Sequence, residues 1–184
     1  MNRHLCLALG LISMLAPNAV AGNYPTQKFD AKYEISSPQG KTDMRMASDG
    51  AGHFMTESVA HGFKSTSLLN YLEGTSTTLI EQGKMAMKTK LPPSGGMVAD
   101  ESSVKSAGGK QIGAKVVNGH PCHGYEYSAS GVKTQVWIGD DCHITVQSTT
   151  DSAAGKQVMN LKSLAGAPPA DVFKVPTGYK MMAQ

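Results

Sequence analysis

Apolar and polar residues alternate with a period of two along much of this chain, and this alternation constrains the fold more than any other feature. Phe29, Ala31, Tyr33 and Ile35 alternate with the charged residues between them. The segment from residue 85 to residue 91 repeats the pattern, and Met44 and Met46 flank Arg45 in the same way. Because successive side chains of a strand point to opposite faces, these segments predict β-strands with one buried face and one solvated face.

Turns rich in glycine, proline and polar residues separate the predicted strands. After a meander that ends near Leu91, a Pro-Pro-Ser-Gly-Gly break occupies residues 92–96. The next segment, 97–107, has acidic residues early and a lysine late, which suits a short helix or an ordered loop. Strands are predicted again at residues 114–118, 125–128, 132–138, 143–148 and 157–164. The predicted fold class is therefore mainly β (α+β), with one mostly antiparallel sheet.

The first 21 residues have the features of a signal peptide. Arg3 precedes an apolar run from residue 5 to residue 15, and Ala19-Val20-Ala21 provides small residues before a cleavage site. The apolar run is too short to span a bilayer as a permanent helix. We therefore expect cleavage after Ala21, a periplasmic or secreted protein that does not span the membrane, and a single domain over residues 22–184.

Charge and motif content exclude several classes of function. The chain has 17 basic and 14 acidic residues, a near balance, and no lysine and arginine cluster that would follow a phosphate backbone. We therefore expect no nucleic-acid partner. Neither a Gly-x-Ser-x-Gly elbow nor a His-Glu-x-x-His helix is present, and Asp140-Asp141 has the composition of a turn. The sequence predicts a protein that is not an enzyme.

Two cysteines remain after the predicted leader, and they support two mutually exclusive hypotheses. In an oxidising compartment, Cys122 and Cys142 are expected to form a disulfide. The alternative is a copper or zinc site, because thiolate and imidazole ligands suit both metals. A sulfur atom in a disulfide is not a thiolate ligand, so one molecule cannot do both. The candidate metal ligands are His120, Cys122, His123, Cys142 and His143.

Pairs of methionines two residues apart give a further pair of alternatives. Met44 and Met46 form one such pair, and Met85 and Met87 form another. Thioether sulfur is a soft ligand that suits Cu(I). Methionine at a period of two is also typical of a buried strand face, where its flexible side chain fills irregular apolar space. Core packing is the favoured interpretation.

The second half of the chain resembles a known family. A Gly-x-x-Cys step at 119–122 is followed by Tyr125, by Val-Trp-Ile at 136–138 and by a closing Phe-x-Val-Pro-x-Gly-Tyr at 173–179. This order resembles exported bacterial proteins of the domain-of-unknown-function 4412 type, which are similar in architecture to LolA and LolB. The resemblance implies an incomplete antiparallel β-barrel, with short helical segments on its open side. Phe173 and Tyr179 are expected to fix the C-terminal turn on the sheet.

This architecture implies an exported, non-enzymatic binding protein with no cofactor, whose half-barrel holds a lipid or another apolar small molecule. An apolar stripe and the methionine pairs are expected to line one connected cavity, formed by Phe29, Tyr33, Ile35, Met44, Met46, Met85 and Met87. The first alternative is a periplasmic copper- or zinc-binding protein. The second is an envelope module that docks a protein partner and holds no small ligand.

Overall fold

The computed structural model describes residues 24–60, 62–91, 99–129, 131–153 and 155–182. The predicted leader at 1–21 and the Pro-Gly break at 92–96 lie outside these residues. Within them, no helix is both long enough and apolar enough to cross a bilayer.

Two antiparallel meanders form the molecule. The first contains β1 (Lys28–Ser37), β2 (Gly40–Asp49), β3 (His53–Ala60), β4 (Phe63–Asn70), β5 (Thr75–Ile80) and β6 (Met85–Lys90). Helix α1 (Glu101–Ser106) connects it to the second meander. That meander contains β7 (Lys110–Val117), β8 (His120–Ala129), β9 (Val132–Gly139), β10 (Thr145–Ser152) and β11 (Gly155–Ala165). A 3₁₀ helix (Ala170–Phe173) and the short strand β12 (Lys180–Met182) follow.

All twelve strands belong to one curved, open sheet. Strand β1 pairs with β11, and this pairing joins the two meanders in the order β12-β6-β5-β4-β3-β2-β1-β11-β10-β9-β8-β7. Every pairing is antiparallel except that between β12 and β6. The predicted fold class, a mainly β protein with a single curved antiparallel sheet, is confirmed.

The main core lies on the face of the sheet that carries Phe29, Ala31 and Tyr33, which we call the inner face. These three side chains are buried, as their alternation predicts. The Tyr33 hydroxyl donates a hydrogen bond of 3.0 Å to the carbonyl oxygen of Thr145, across the joint between the meanders. The core cluster therefore contains residues of both meanders, among them Phe29, Met46, Phe54, Ile144, Val146 and Leu161.

Helix α1 begins at a complete capping box and packs on the inner face of the second meander. The Asp100 carboxylate accepts hydrogen bonds from the backbone N–H of Ser103 (2.8 Å) and from that of Thr26 (2.6 Å). Val104 is fully buried and packs against Tyr125 and neighbouring apolar residues of β9. The helix lies within the predicted segment 97–107, and its cap also holds the N-terminal segment in place.

The opposite, outer face of β2 to β6 is covered by the C-terminal tail. Phe173 and Tyr179 pack there, as predicted, against Ala47, Met55, Leu68, Leu79 and Ala86. As a result, the buried face of β6 is the opposite of the face that the sequence pattern predicts to be buried. Ala86 was expected on the solvated face and is fully buried, whereas Met87, on the other face, is 36% exposed.

Candidate functional site

A cavity of about 220 Å³ lies on the inner face and is open to solvent. Its lining residues come from six strands, namely β1, β2, β8, β9, β10 and β11. Its apolar lining is Ile35, Met44, Met46, Tyr127 and Met159, and its polar lining is Thr134, Ser148, Thr150 and Gln157. The cavity can therefore accept an apolar group and offer hydroxyl groups to a polar end of the same ligand.

Three of the seven residues predicted to bind an apolar ligand line this cavity, namely Ile35, Met44 and Met46. Phe29 and Tyr33 do not line it. Their rings are packed in the core, and each is only 1% exposed. Both rings help to fill the tightly packed core that contains residues of both meanders.

Met85 and Met87 share the inner face with Met44 and Met46 but lie four strands away. Strand pairing places Met46 and Met87 in one cross-strand row and Met44 and Met85 in the next. The residues between them in these rows are mostly hydroxylated: Thr56, Ser58, Ser65, Ser67 and Thr78. Neither Met85 nor Met87 lines the 220 Å³ cavity. This cavity therefore does not connect the two methionine pairs that were predicted to line one cavity.

A second cavity, of about 740 Å³, lies between α1 and the adjacent ends of β7, β8 and β9, and most of the residues that line it are polar or charged. Charged or titratable side chains from both sides line it: Glu101, Lys105, His123, Asp140 and His143. The Tyr125 hydroxyl donates a 2.6 Å hydrogen bond to Glu101. Burial, together with this carboxylate, raises the pKa of Tyr125 to about 12. Hydrogen bonds from Lys105 and Tyr125 lower the pKa of Glu101.

The cysteine and histidine residues singled out in the sequence lie beside this cavity, where two turns meet. The β7–β8 turn leads to His120, and the β9–β10 turn carries Asp140 and Asp141. His120 Nδ1 lies 2.8 Å from Asp141 Oδ2, and His123 Nδ1 lies 2.5 Å from Asp140 Oδ1. The sequence predicts that Asp140 and Asp141 lie in a turn. In the structure Asp140 contacts His123 and Asp141 contacts His120.

Both cysteines are free thiols in this structure. Cys122 is opposite Gly139 in the β8–β9 pairing. The Cys142 sulfur lies 2.5 Å from the position that a Cβ atom on Gly139 would occupy. Since directly opposed Cβ positions in a sheet are about 5 Å apart, the two cysteine side chains are close neighbours. Burial raises the pKa of both thiols.

A group of three possible metal ligands emerges from this arrangement. One donor atom each from His120, Asp141 and Cys142 lies within 4.8 Å of the others. Among the described residues, the predicted ligands Cys122, His123 and His143 do not belong to this group. His123 is outside the group because side chains alternate along a strand, so His123 projects to the opposite face of β8 from His120. Sequence reasoning missed Asp141 because an aspartate in a turn is ordinarily explained by its local hydrogen bonds.

Fold and site together define a class of protein: one open, curved, mostly antiparallel sheet that carries several cavities, among them an inner-face cavity with apolar and hydroxyl lining and a larger cavity lined by charged groups. The family DUF2092, described as predicted periplasmic proteins, matches residues 71–178, and the chain belongs to this family. The family description agrees with the predicted export. The finer resemblance to the 4412 family stays a prediction. No curated protein matches the chain in sequence.

Solved structures are similar to this chain at low sequence identity, and the first two named here share its fold. An uncharacterized conserved protein from Thermus thermophilus has a TM-score of 0.63 and 7% identity, over 85% of this chain and 90% of that protein. MucB has a TM-score of 0.51 and 12% identity, over 82% of this chain and 58% of MucB. The LolA superfamily protein NE2245 from Nitrosomonas europaea has a TM-score of 0.39 and 8% identity, over 82% and 91% of the respective chains.

Proposed function

We propose that this chain is an exported, non-enzymatic binding protein that holds an apolar ligand, such as a lipid acyl chain, in the inner-face cavity. The observation that supports the proposal is the lining of that cavity. Ile35, Met44 and Met159 come from three neighbouring strands. Ile35 is buried, whereas Met44 and Met159 are half-buried, so the two methionines leave apolar surface for a ligand. Methionine is suited to this role because its unbranched side chain adapts to ligands of different shape.

The hydroxyl groups beside this apolar surface favour a ligand with one polar end. Thr134 and Thr150 lie opposite each other on β9 and β10, and their Oγ1 atoms are 3.3 Å apart. They can donate to or accept from a carbonyl or hydroxyl group of a ligand without a charge in the cavity. A neutral or weakly polar lipid fits this lining better than a strongly charged molecule, for which the larger polar cavity is the more suitable place.

The test compares methionines inside and outside the cavity. The probe is N-phenyl-1-naphthylamine, whose fluorescence increases in apolar surroundings. We expect Met44→Gln and Met159→Gln to weaken probe binding roughly three- to tenfold, because a polar amide replaces apolar contact surface. Met87→Gln is the matched control, since Met87 lies on the same face but outside the lining. An equal loss in all three variants, or no binding by the unaltered protein, would contradict the proposal.

Native mass spectrometry of the protein purified from the periplasm identifies the natural occupant. An adduct with the mass of a lipid, absent from the Met44→Gln variant, is the expected result. A protein that carries no adduct and does not bind the probe would instead favour the docking of an envelope protein partner. In that case the inner-face cavity would have no ligand-binding role.

A further inference from the structure

We propose that His120, Asp141 and Cys142 bind one zinc ion while the cysteines are reduced, and that pairing of Cys142 with Cys122 releases the ion. This site is separate from the inner-face cavity and does not depend on the proposed apolar ligand. It combines one nitrogen donor from the start of β8 with one oxygen and one sulfur donor from the turn between β9 and β10.

The donor set favours zinc over the other common metals. Zinc accepts imidazole, carboxylate and thiolate ligands in a tetrahedral arrangement, and three protein ligands leave one position for water. The Asp141 oxygen is a hard ligand that Cu(I) does not prefer, and the Cys142 sulfur is too soft for magnesium or calcium. Donor atoms within 4.8 Å of one another need only small rotations to reach a common ion.

Burial of the three groups suits a site that exchanges its metal. Cys142 and His120 are partly buried, and Asp141 is exposed, so an ion can enter from solvent. When zinc binds, the Cys142 thiol loses its proton to water and the sulfur bonds to the metal as thiolate. His120 already lies beside Asp141, at 2.8 Å, and the main chain of the turn is fixed by a 2.8 Å hydrogen bond from Asp140 N–H to the Pro121 carbonyl.

Cys122 supplies the redox control. It is 1% exposed, it lies beside Cys142 across Gly139, and it is outside the group of donor atoms. In the oxidation, the two thiols give up two protons and two electrons to a small disulfide, which is reduced to two thiols. The sulfur of Cys142 then forms an S–S bond, and it is no longer a thiolate that can hold zinc.

Zinc titration by calorimetry, in buffer with a phosphine reductant, tests the ligand set. The intact protein is expected to bind one zinc ion. Cys142→Ser, Asp141→Asn and His120→Asn should each weaken binding more than about 100-fold, because loss of a direct ligand costs more than loss of an outer partner. His143→Asn is the matched control: it removes a neighbouring imidazole outside the group, and asparagine tolerates the positive φ of 58° at this position. We expect it to change affinity less than twofold.

Two further measurements test the role of the thiols. Cobalt bound in place of zinc should give a sulfur-to-metal charge-transfer band that is present in Cys122→Ala and absent in Cys142→Ser. After treatment of the intact protein with oxidised glutathione, a mass lower by two hydrogens should accompany the loss of zinc binding. The proposal is overturned if the reduced protein binds no zinc, if Cys142→Ser binds as well as the intact protein, if Cys122→Ala loses binding, or if the disulfide form retains the ion.

Discussion

At the scale of single residues, Gly139 illustrates that much of the candidate site depends on contacts that could not be predicted from the sequence. The alternation of β9 and the turn after it predict where this glycine lies. They do not show that its missing side chain makes room for the Cys142 sulfur, 2.5 Å from the position of a Cβ atom. The same limit applies to the pairing of His120 with Asp141, since these residues are brought together only when β8 and β9 pair.

An ion pair between β1 and β2 gives a prediction at the same scale. Arg45 donates two hydrogen bonds to the Asp30 carboxylate, at 2.8 and 2.5 Å, and these bonds lower the pKa of Asp30 from its usual 3.8. A lowered pKa in the folded state stabilises the protein at pH values above 3.8, and this stabilisation is lost as the pH falls through the folded-state value. We expect Asp30→Asn to reduce the free energy of unfolding by about 1 kcal/mol at neutral pH and by much less well below pH 3.8.

Urea unfolding at the two pH values measures this difference. Asp43→Asn serves as the control, because Asp43 is an exposed carboxylate on β2. A loss of stability in Asp30→Asn that stays constant from neutral to strongly acidic pH would show that the effect comes from packing and not from the charge of the carboxylate.

At the scale of elements, the strands with clear alternation were predictable, and the polar strands were not. The buried side chains of β1 follow the sequence pattern. Strands β3, β4 and β5 belong to the predicted meander, but they were not located one by one, because serine and threonine occupy both faces of β4 and β5 and one face of β3. In β6 the pattern predicted the wrong buried face, because the tail that covers Ala86 is more than 80 residues away in the sequence.

The tail therefore has a stabilising role that can be tested. Phe173 packs on the outer face of β2 to β6, and its ring centroid is 6.1 Å from that of His53. Phe173→Ala should lower the free energy of unfolding by about 2 kcal/mol. The Phe173 ring is partly buried against the sheet, and the substitution removes this apolar contact. Hydrogen exchange should become faster in β5 and β6 and stay unchanged in β8 and β9.

Val175→Ala is the matched control for this variant, since Val175 lies in the same tail and is 37% exposed. It should change stability by less than about 0.5 kcal/mol. Equal acceleration of exchange in both meanders of Phe173→Ala would contradict a local role of the tail and would indicate that it stabilises the whole sheet.

At the scale of the whole molecule, the joint between β1 and β11 determines whether the two meanders unfold together. Leu161 on β11 is opposite Tyr33, and both belong to the core cluster that contains residues of both meanders. Because this core is shared, each meander buries part of its apolar surface only against the other. We expect a single cooperative transition, in which Trp137 fluorescence from the second meander and amide exchange in β3 to β5 of the first report the same free energy of unfolding.

Leu161→Ala tests this coupling directly. The variant leaves a void at the joint and should lower the free energy of unfolding by about 2–4 kcal/mol, with the two probes still in agreement. Leu164→Ala, on the same strand but 40% exposed, should cost less than about 1 kcal/mol. Separate transitions for the two probes in the unaltered protein would show that each meander is stable alone. The inner-face cavity, whose walls come from both meanders, would then open whenever the joint does.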